Sequence, residues 1–176
     1  MMNCLHILIL ISGGLNQYVF CGDNPVNCVD PLGLDANITV NGNNVTIEIP
    51  ITFKGHGATK EVIEKFTKGI EDNWSGKFDE YCVTTKVTEG KANTITIPAG
   101  NGRAYVQGSN TGNWPAERPA WTAAHEVGHL MKHGDRYDTK TGKVNPGWEK
   151  NIMGEHGGKV EGRNIKEIID QNKGKK

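Results

Sequence analysis

The chain has 176 residues, enough for one domain with a real core and some extension. Its 20 Lys+Arg and 20 Asp+Glu cancel, which argues against a nucleic-acid groove. A hydrophobic fraction of 36%, a mean hydropathy of −0.52 and 23 glycines describe a polar, turn-rich globule, and the apolar run Leu5–Ile11 is too short to span a bilayer.

Residues 1–34 contain no Lys, Arg or Glu. Leu5–Ile11 therefore lacks the basic flank that opens a signal peptide, and Tyr18 stands where a lipoprotein-type site at Cys21 would carry leucine. Cys4, Cys21, Cys28 and Cys82 follow no metal or redox spacing. A Cys21–Cys28 bridge stays open, but no disulfide framework is expected for the rest of the chain. Asp23-Asn24-Pro25 and Asp30-Pro31-Leu32-Gly33 are turn signals, so this lead-in reads as looped and strand-poor.

The same stretch carries a longer pattern. Gly13-Gly14-Leu15-Asn16-Gln17-Tyr18 is followed by Gly22-Asp23-Asn24-Pro25-Val26-Asn27 and closes on Asp30-Pro31-Leu32-Gly33-Leu34. Residues 12–34 resemble the C-terminal edge of the RHS-repeat-associated core, with Cys28 where that family more often has an aromatic. The resemblance implies a large bacterial shell whose variable toxin domain starts just after this motif. It divides the chain into a core remnant, 1–34, and a toxin domain, 35–176, with release near Leu34–Asp35. With so little of the shell in the sequence, self-cleavage is not expected. A secreted effector, delivered from the shell into target cells and met by a cognate immunity protein, is also implied.

From residue 38 the alternation Ile38, Val40, then Asn41-Gly42-Asn43-Asn44, then Val45, Ile47, Ile49, Ile51, Phe53 predicts a hairpin of two strands. Gly55-His56-Gly57 breaks the pattern, and His56 reads as a loop histidine. The period then changes. Val62, Ile63, Phe66 and Ile70 are spaced for a helix, with Thr59 as its N-cap and Asn73–Lys77 as its end. Strands are expected at Tyr81–Thr88, Thr94–Pro98 and Arg103–Gln107, and a polar loop at Gly108–Trp114. Arg103–Gln107 is the strand nominated to pair with an extended substrate at its edge.

Pro119 suits the first turn of a helix that should run to about Lys132. Trp121, Ala124, Val127, Gly128, Leu130 and Met131 make this helix apolar round most of its circumference, so it should be buried. It carries His125-Glu126-Val127-Gly128-His129, the pattern H-E-x-x-H. Residues four apart share a face, so His125 and His129 can aim two imidazoles at one point, with the Glu126 carboxylate close by as a base. That combination suits a catalytic zinc; two unrelated surface histidines are the plain alternative. For a third ligand, His133 would continue the ladder, but its Cα lies about 12 Å along the axis from that of His125. Asp135 is better placed if the helix stops and turns back, and Gly134 is the residue suited to that turn. Glu149 and His156 are weaker ligand candidates, and Tyr137 is a candidate oxyanion stabiliser or a packing aromatic. Arg163–Asn172 reads as a closing helix with Ile165, Ile168 and Ile169 inward, ahead of a frayed lysine-rich end.

His125, Glu126, His129 and Asp135 also resemble the metzincin-like zinc peptidases residue by residue. Their motif is H-E-x-x-H-x-x-G-x-x-H, or the same with Asp last; Lys132 stands where the motif has glycine. Asn151-Ile152-Met153-Gly154 resembles the family's Met-turn, an apolar floor beneath the metal that does not ligate it. The resemblance implies a small α+β zincin-like domain with a mixed, twisted sheet packed on the active-site helix. It further implies a Zn2+ endopeptidase that cleaves a protein substrate; a monomer with no stable membrane insertion is expected alongside. Two other readings stay open: a non-catalytic protein-binding effector with structural zinc, in which His133 or His156 closes the coordination, and a zinc hydrolase of a non-peptide amide.

Overall fold

A computed structural model describes residues 36–173. The expected core remnant, its release point and the possible Cys21–Cys28 bridge lie outside the described residues, as do residues 174–176.

The hairpin forms as expected, from β1 (Asn37–Asn41) and β2 (Asn44–Lys54), with Asn41 opposite Asn44 and Gly42 at φ +58° in the turn. One face of β2 is the centre of the core: Val45, Ile47, Ile49 and Ile51 are all at most 2% exposed. Each such side chain contributes about 1.5–3 kcal/mol by leaving water. α1 (Lys60–Trp74) lies over that face, and the Thr59 hydroxyl accepts the Val62 N–H as its cap. Phe66, Ile70 and Trp74, spaced four apart, form its buried stripe, while Val62 and Ile63 are only partly covered.

The remaining strands are β3 (Gly76–Phe78), β4 (Tyr81–Glu89), β5 (Asn93–Thr96), β6 (Tyr105–Gln107) and β7 (Thr111–Asn113). The sheet order is β3-β4-β2-β5-β7-β6, with β1 beside β2. β2 runs parallel to β4 on one edge and to β5 on the other; its N-terminal half shares that second edge with β1. β5 and β7 are parallel, whereas β3–β4 and β6–β7 are antiparallel. The sheet is therefore mixed and the domain α+β. Two strands depart from expectation. β7 falls in the segment read as a polar loop, where Gly112 must lie within 2.8 Å (at its absent Cβ) of the Ile95 side chain. β3 takes up the end of the segment read as the close of α1.

The central helix, α2 (Ala120–Leu130), packs mainly on α1 and also meets the sheet at β6. Contact is close because Gly69 leaves room: a Cβ there would stand 2.5 Å from the Ala120 carbonyl oxygen. Trp74 donates its indole N–H to Ala124 O at 2.8 Å, locking α1 to α2. α3 (Gly162–Lys173) closes the domain with Ile165, Ile168 and Ile169 buried as expected. None of the described helices is long and apolar enough to cross a membrane.

Candidate metal centre

α2 starts one residue later than Pro119 was expected to place it. Pro119 is the N-cap, with φ −63° and ψ 154°, and offers no side-chain cap. Just upstream, Lys65 donates to Ala116 O and Arg118 O, so α1 also holds the approach to α2. The helix then ends early, at Leu130. Lys132 N–H bonds to His129 O at 3.0 Å and His133 N–H to Gly128 O at 2.9 Å. These two bonds form a Schellman ending, whose turn residue must be left-handed. That residue is Lys132, at φ +70°. The helix therefore turns at the position where the resembled motif has glycine, not at Gly134 as expected.

The early turn swings Asp135 back over the helix. Its Oδ1 lies 3.5 Å from His125 Nε2 and 3.4 Å from His129 Nε2. The three residues form one group able to hold a metal ion, their ligand atoms all within 4.8 Å of one another. The side chains are 11%, 22% and 28% exposed, so the group is recessed yet reachable from solvent.

Both imidazoles are held from behind. His125 Nδ1 is 2.7 Å from Ile152 O, and His129 Nδ1 is 2.9 Å from His133 O. A carbonyl only accepts, so each Nδ1 must carry a proton, and each ring, when neutral, presents an Nε2 lone pair to Asp135. Asp135 Oδ1 is buried and makes no hydrogen bond of acceptable geometry. With both rings neutral, three acceptors converge on one point, an arrangement that a cation reconciles, and outer-sphere carbonyls on both histidines are the usual support of such a ligand set. The donor set and its burial fit a divalent metal.

The charges gathered at the site act on one another. Burial favours a protonated Asp135, but contacts with His125 and His129 outweigh it and hold the carboxyl well below its usual range. Burial alone would lower His129; Asp135 and the His133 carbonyl reverse this and raise it. Glu126 is 6% exposed, its Oε2 without a partner. Burial pushes its pKa up, and Asp135 adds to this, while His125, His129 and Arg103 oppose it.

The other candidates separate clearly. Met153 is fully buried against α2, its sulfur 2.4 Å from where a Gly128 Cβ would stand. Gly128 is thus what lets the Asn151–Gly154 turn seat beneath the histidines. Tyr137 borders the site, since Asp135 is among the groups that, after burial, raise its pKa. His133 turns its ring away: it stacks on Trp74 at 5.7 Å and its Nδ1 meets Glu167 Oε2 at 2.9 Å. It serves the site through its carbonyl alone. Glu149, His156 and His56 are exposed and lie outside the ligand group.

Several contributors escaped the sequence reading. Trp121 stacks on His125 at 5.4 Å and donates to Gly158 O, while the His156 ring covers its indole at 4.7 Å. Asn151 shapes the turn, its Oδ1 accepting Met153 N–H at 2.9 Å. Glu167 reaches the site region from α3. A Trp one turn before the first histidine was a visible signal; nothing local marked Glu167. No family model matches the sequence, and no curated protein matches it.

Proposed function

We propose that this domain is a zinc-dependent, metzincin-like endopeptidase, acting as the C-terminal toxin of an RHS-type polymorphic system. The observation that carries the reading is the convergence of His125 Nε2, His129 Nε2 and Asp135 Oδ1 beside the buried Glu126 carboxylate, whose Oε2 has no partner. Two nitrogens and one carboxylate suit Zn2+, and they also suit Fe2+. The Glu126 carboxylate next to them favours hydrolysis. Bound zinc supplies a Lewis acid that acidifies water and polarises the carbonyl to be attacked.

The chain's own residues divide the remaining work. Ile152 O and His133 O hold the two histidines in the tautomer that ligates. Glu126, buried and with a raised pKa, takes the proton from the attacking water and returns it to the leaving amine. Tyr137, at the rim beside Asp135, is the candidate to donate to the developing oxyanion. β6 ends the sheet next to α2 with Tyr105 exposed, which supports the Arg103–Gln107 segment as the edge that pairs with an extended protein substrate. A cognate immunity protein is the partner expected with this role.

Three protein ligands leave room for water, as a catalytic site requires, whereas a structural zinc closes its shell with four. Among the described residues neither His133 nor His156 joins the group. The test is metal content of purified wild type and Glu126→Gln, with growth arrest and new peptide termini in a mixed proteome. One zinc in both, with arrest and cleavage only in wild type, is expected. Arrest by both would favour a binding effector, and Glu126-dependent arrest without new peptide termini would favour a non-peptide amide.

A further inference from the structure

The carbonyls that orient His125 and His129 belong to two separate loops, and one helix grips both. On the first loop, Ile152 O faces His125. This loop is shaped by Asn151, whose Oδ1 accepts Met153 N–H and whose Nδ2 donates to Asn164 Oδ1 at 2.8 Å. On the second, His133 O faces His129, and the His133 ring bonds to Glu167 at 2.9 Å. Arg136 donates to the same carboxylate, at 2.8 Å to Oε1 and 3.0 Å to Oε2. Glu167 therefore grips the chain on both sides of Asp135, at 133 and at 136. Asn164 and Glu167 are three apart on α3 and so lie on one face of it.

We infer that Asn164 and Glu167 are positioning residues for the metal centre: α3 is a frame that sets the two outer-sphere carbonyls and the loop carrying the third ligand. Neither residue belongs to the ligand group. Each acts through a loop, and together they reach all three ligands. The bonds are of a kind that resists adjustment. Asn164 is wholly buried, the His133 side chain is 0% exposed and stacked on Trp74, and Arg136 packs over the Trp148 ring at 4.3 Å. Arg136 N–H also bonds to Met153 O at 2.8 Å, joining the two loops to each other. Loss of Glu167 leaves His133 and Arg136 without their shared acceptor, so the 133–136 segment can move and take Asp135 with it.

This inference rests on the metal-centre reading, and the experiment separates the two. Zn2+ affinity is measured by chelator competition, and the visible spectrum of the Co2+-loaded protein is recorded. The proteins are wild type, Glu167→Ala, Glu167→Gln, Asn164→Asp and a sheet-core control, Ile49→Val. Loss of outer-sphere partners of this kind weakens metal binding about 10–100-fold. That loss is expected for Glu167→Ala, with an altered Co2+ spectrum. Glu167→Gln, which keeps an acceptor oxygen and the side-chain length, should bind more tightly than Glu167→Ala but less tightly than wild type, and Asn164→Asp, which keeps Oδ1 but loses the Nδ2 donor, should also fall below wild type. Ile49→Val should lower stability without changing affinity or spectrum. Wild-type affinity and spectrum in Glu167→Ala would overturn the inference, as would an equal loss in Ile49→Val. If Glu167→Ala does not fold, wild-type affinity and spectrum in Glu167→Gln and Asn164→Asp together would overturn it. A wild type that binds neither ion would overturn both readings.

Discussion

Replacing Gly128 by Ala sets two effects against each other. Within a helix, Gly→Ala is stabilising by about 1 kcal/mol, since glycine gives up more backbone freedom on folding. At this position the added Cβ would stand 2.4 Å from Met153 Sδ, 3.1 Å from its Cε and 3.4 Å from Trp74 Cζ2. Favourable carbon contacts lie at about 3.5–4.0 Å, so the sulfur must retreat by at least about 1 Å. It has nowhere easy to go: Met153 and Trp74 are both 0% exposed, and Met153 is tied through both its N–H and its carbonyl. Overpacking of this kind costs about 1–3 kcal/mol, so the expected net effect is a loss of about 1 kcal/mol. Denaturant unfolding in the presence of a chelator measures it. The displaced turn also carries Ile152 O, so zinc affinity should fall in the same variant. A Gly128→Ala protein that unfolds at higher denaturant concentration and binds zinc as wild type does would refute the argument, because helix propensity alone would then govern the site.

Lys132→Gly should stabilise the fold by about 0.5–1 kcal/mol. The left-handed φ of +70° costs an L residue about 1–2 kcal/mol, partly offset by the greater unfolded freedom of glycine; chemical denaturation decides the sign. His129→Gln should show opposite pH trends with and without metal. In chelator, the raised His129 pKa means that its pairing with Asp135 stabilises fully below the unfolded value of about 6.5 and fades as pH rises through the folded one. The substitution should therefore cost more stability at about pH 5.5 than at about pH 8.5 without metal. With excess zinc it should cost more at the higher pH, where the ring is neutral and ligates. Parallel trends in the two series would show that the ring does not exchange a proton for the ion.

The part of the site written on one helix was legible, because His125 and His129 need only a 3.6-residue period to share a face. Asp135 was legible as well, but through the wrong residue. Gly134 drew attention as the flexible position, whereas the Schellman bonds from Lys132 and His133 place the left-handed turn at a lysine. The β1–β2 hairpin announced itself by alternation and an Asn/Gly turn. β7 did not, since Thr111-Gly112-Asn113 has no apolar face and is a strand only because β5 and β6 flank it. Parallel pairing of β2 with β4 and β5 had no local signature at all. The same holds for Glu167, whose contact with His133 spans 34 residues and depends on how α3 docks.

The hydrogen bond from Asn172 to Ile38 O, at 3.1 Å, ties the last turn of α3 to the first strand. β1 pairs with β2 alone, so among the described strands it is held on a single edge. Traction on the N-terminal lead-in acts first on this strand, and peeling it away removes the bond that anchors the end of α3. A pull at one end of the chain is thereby coupled to the helix that grips both ligand-bearing loops.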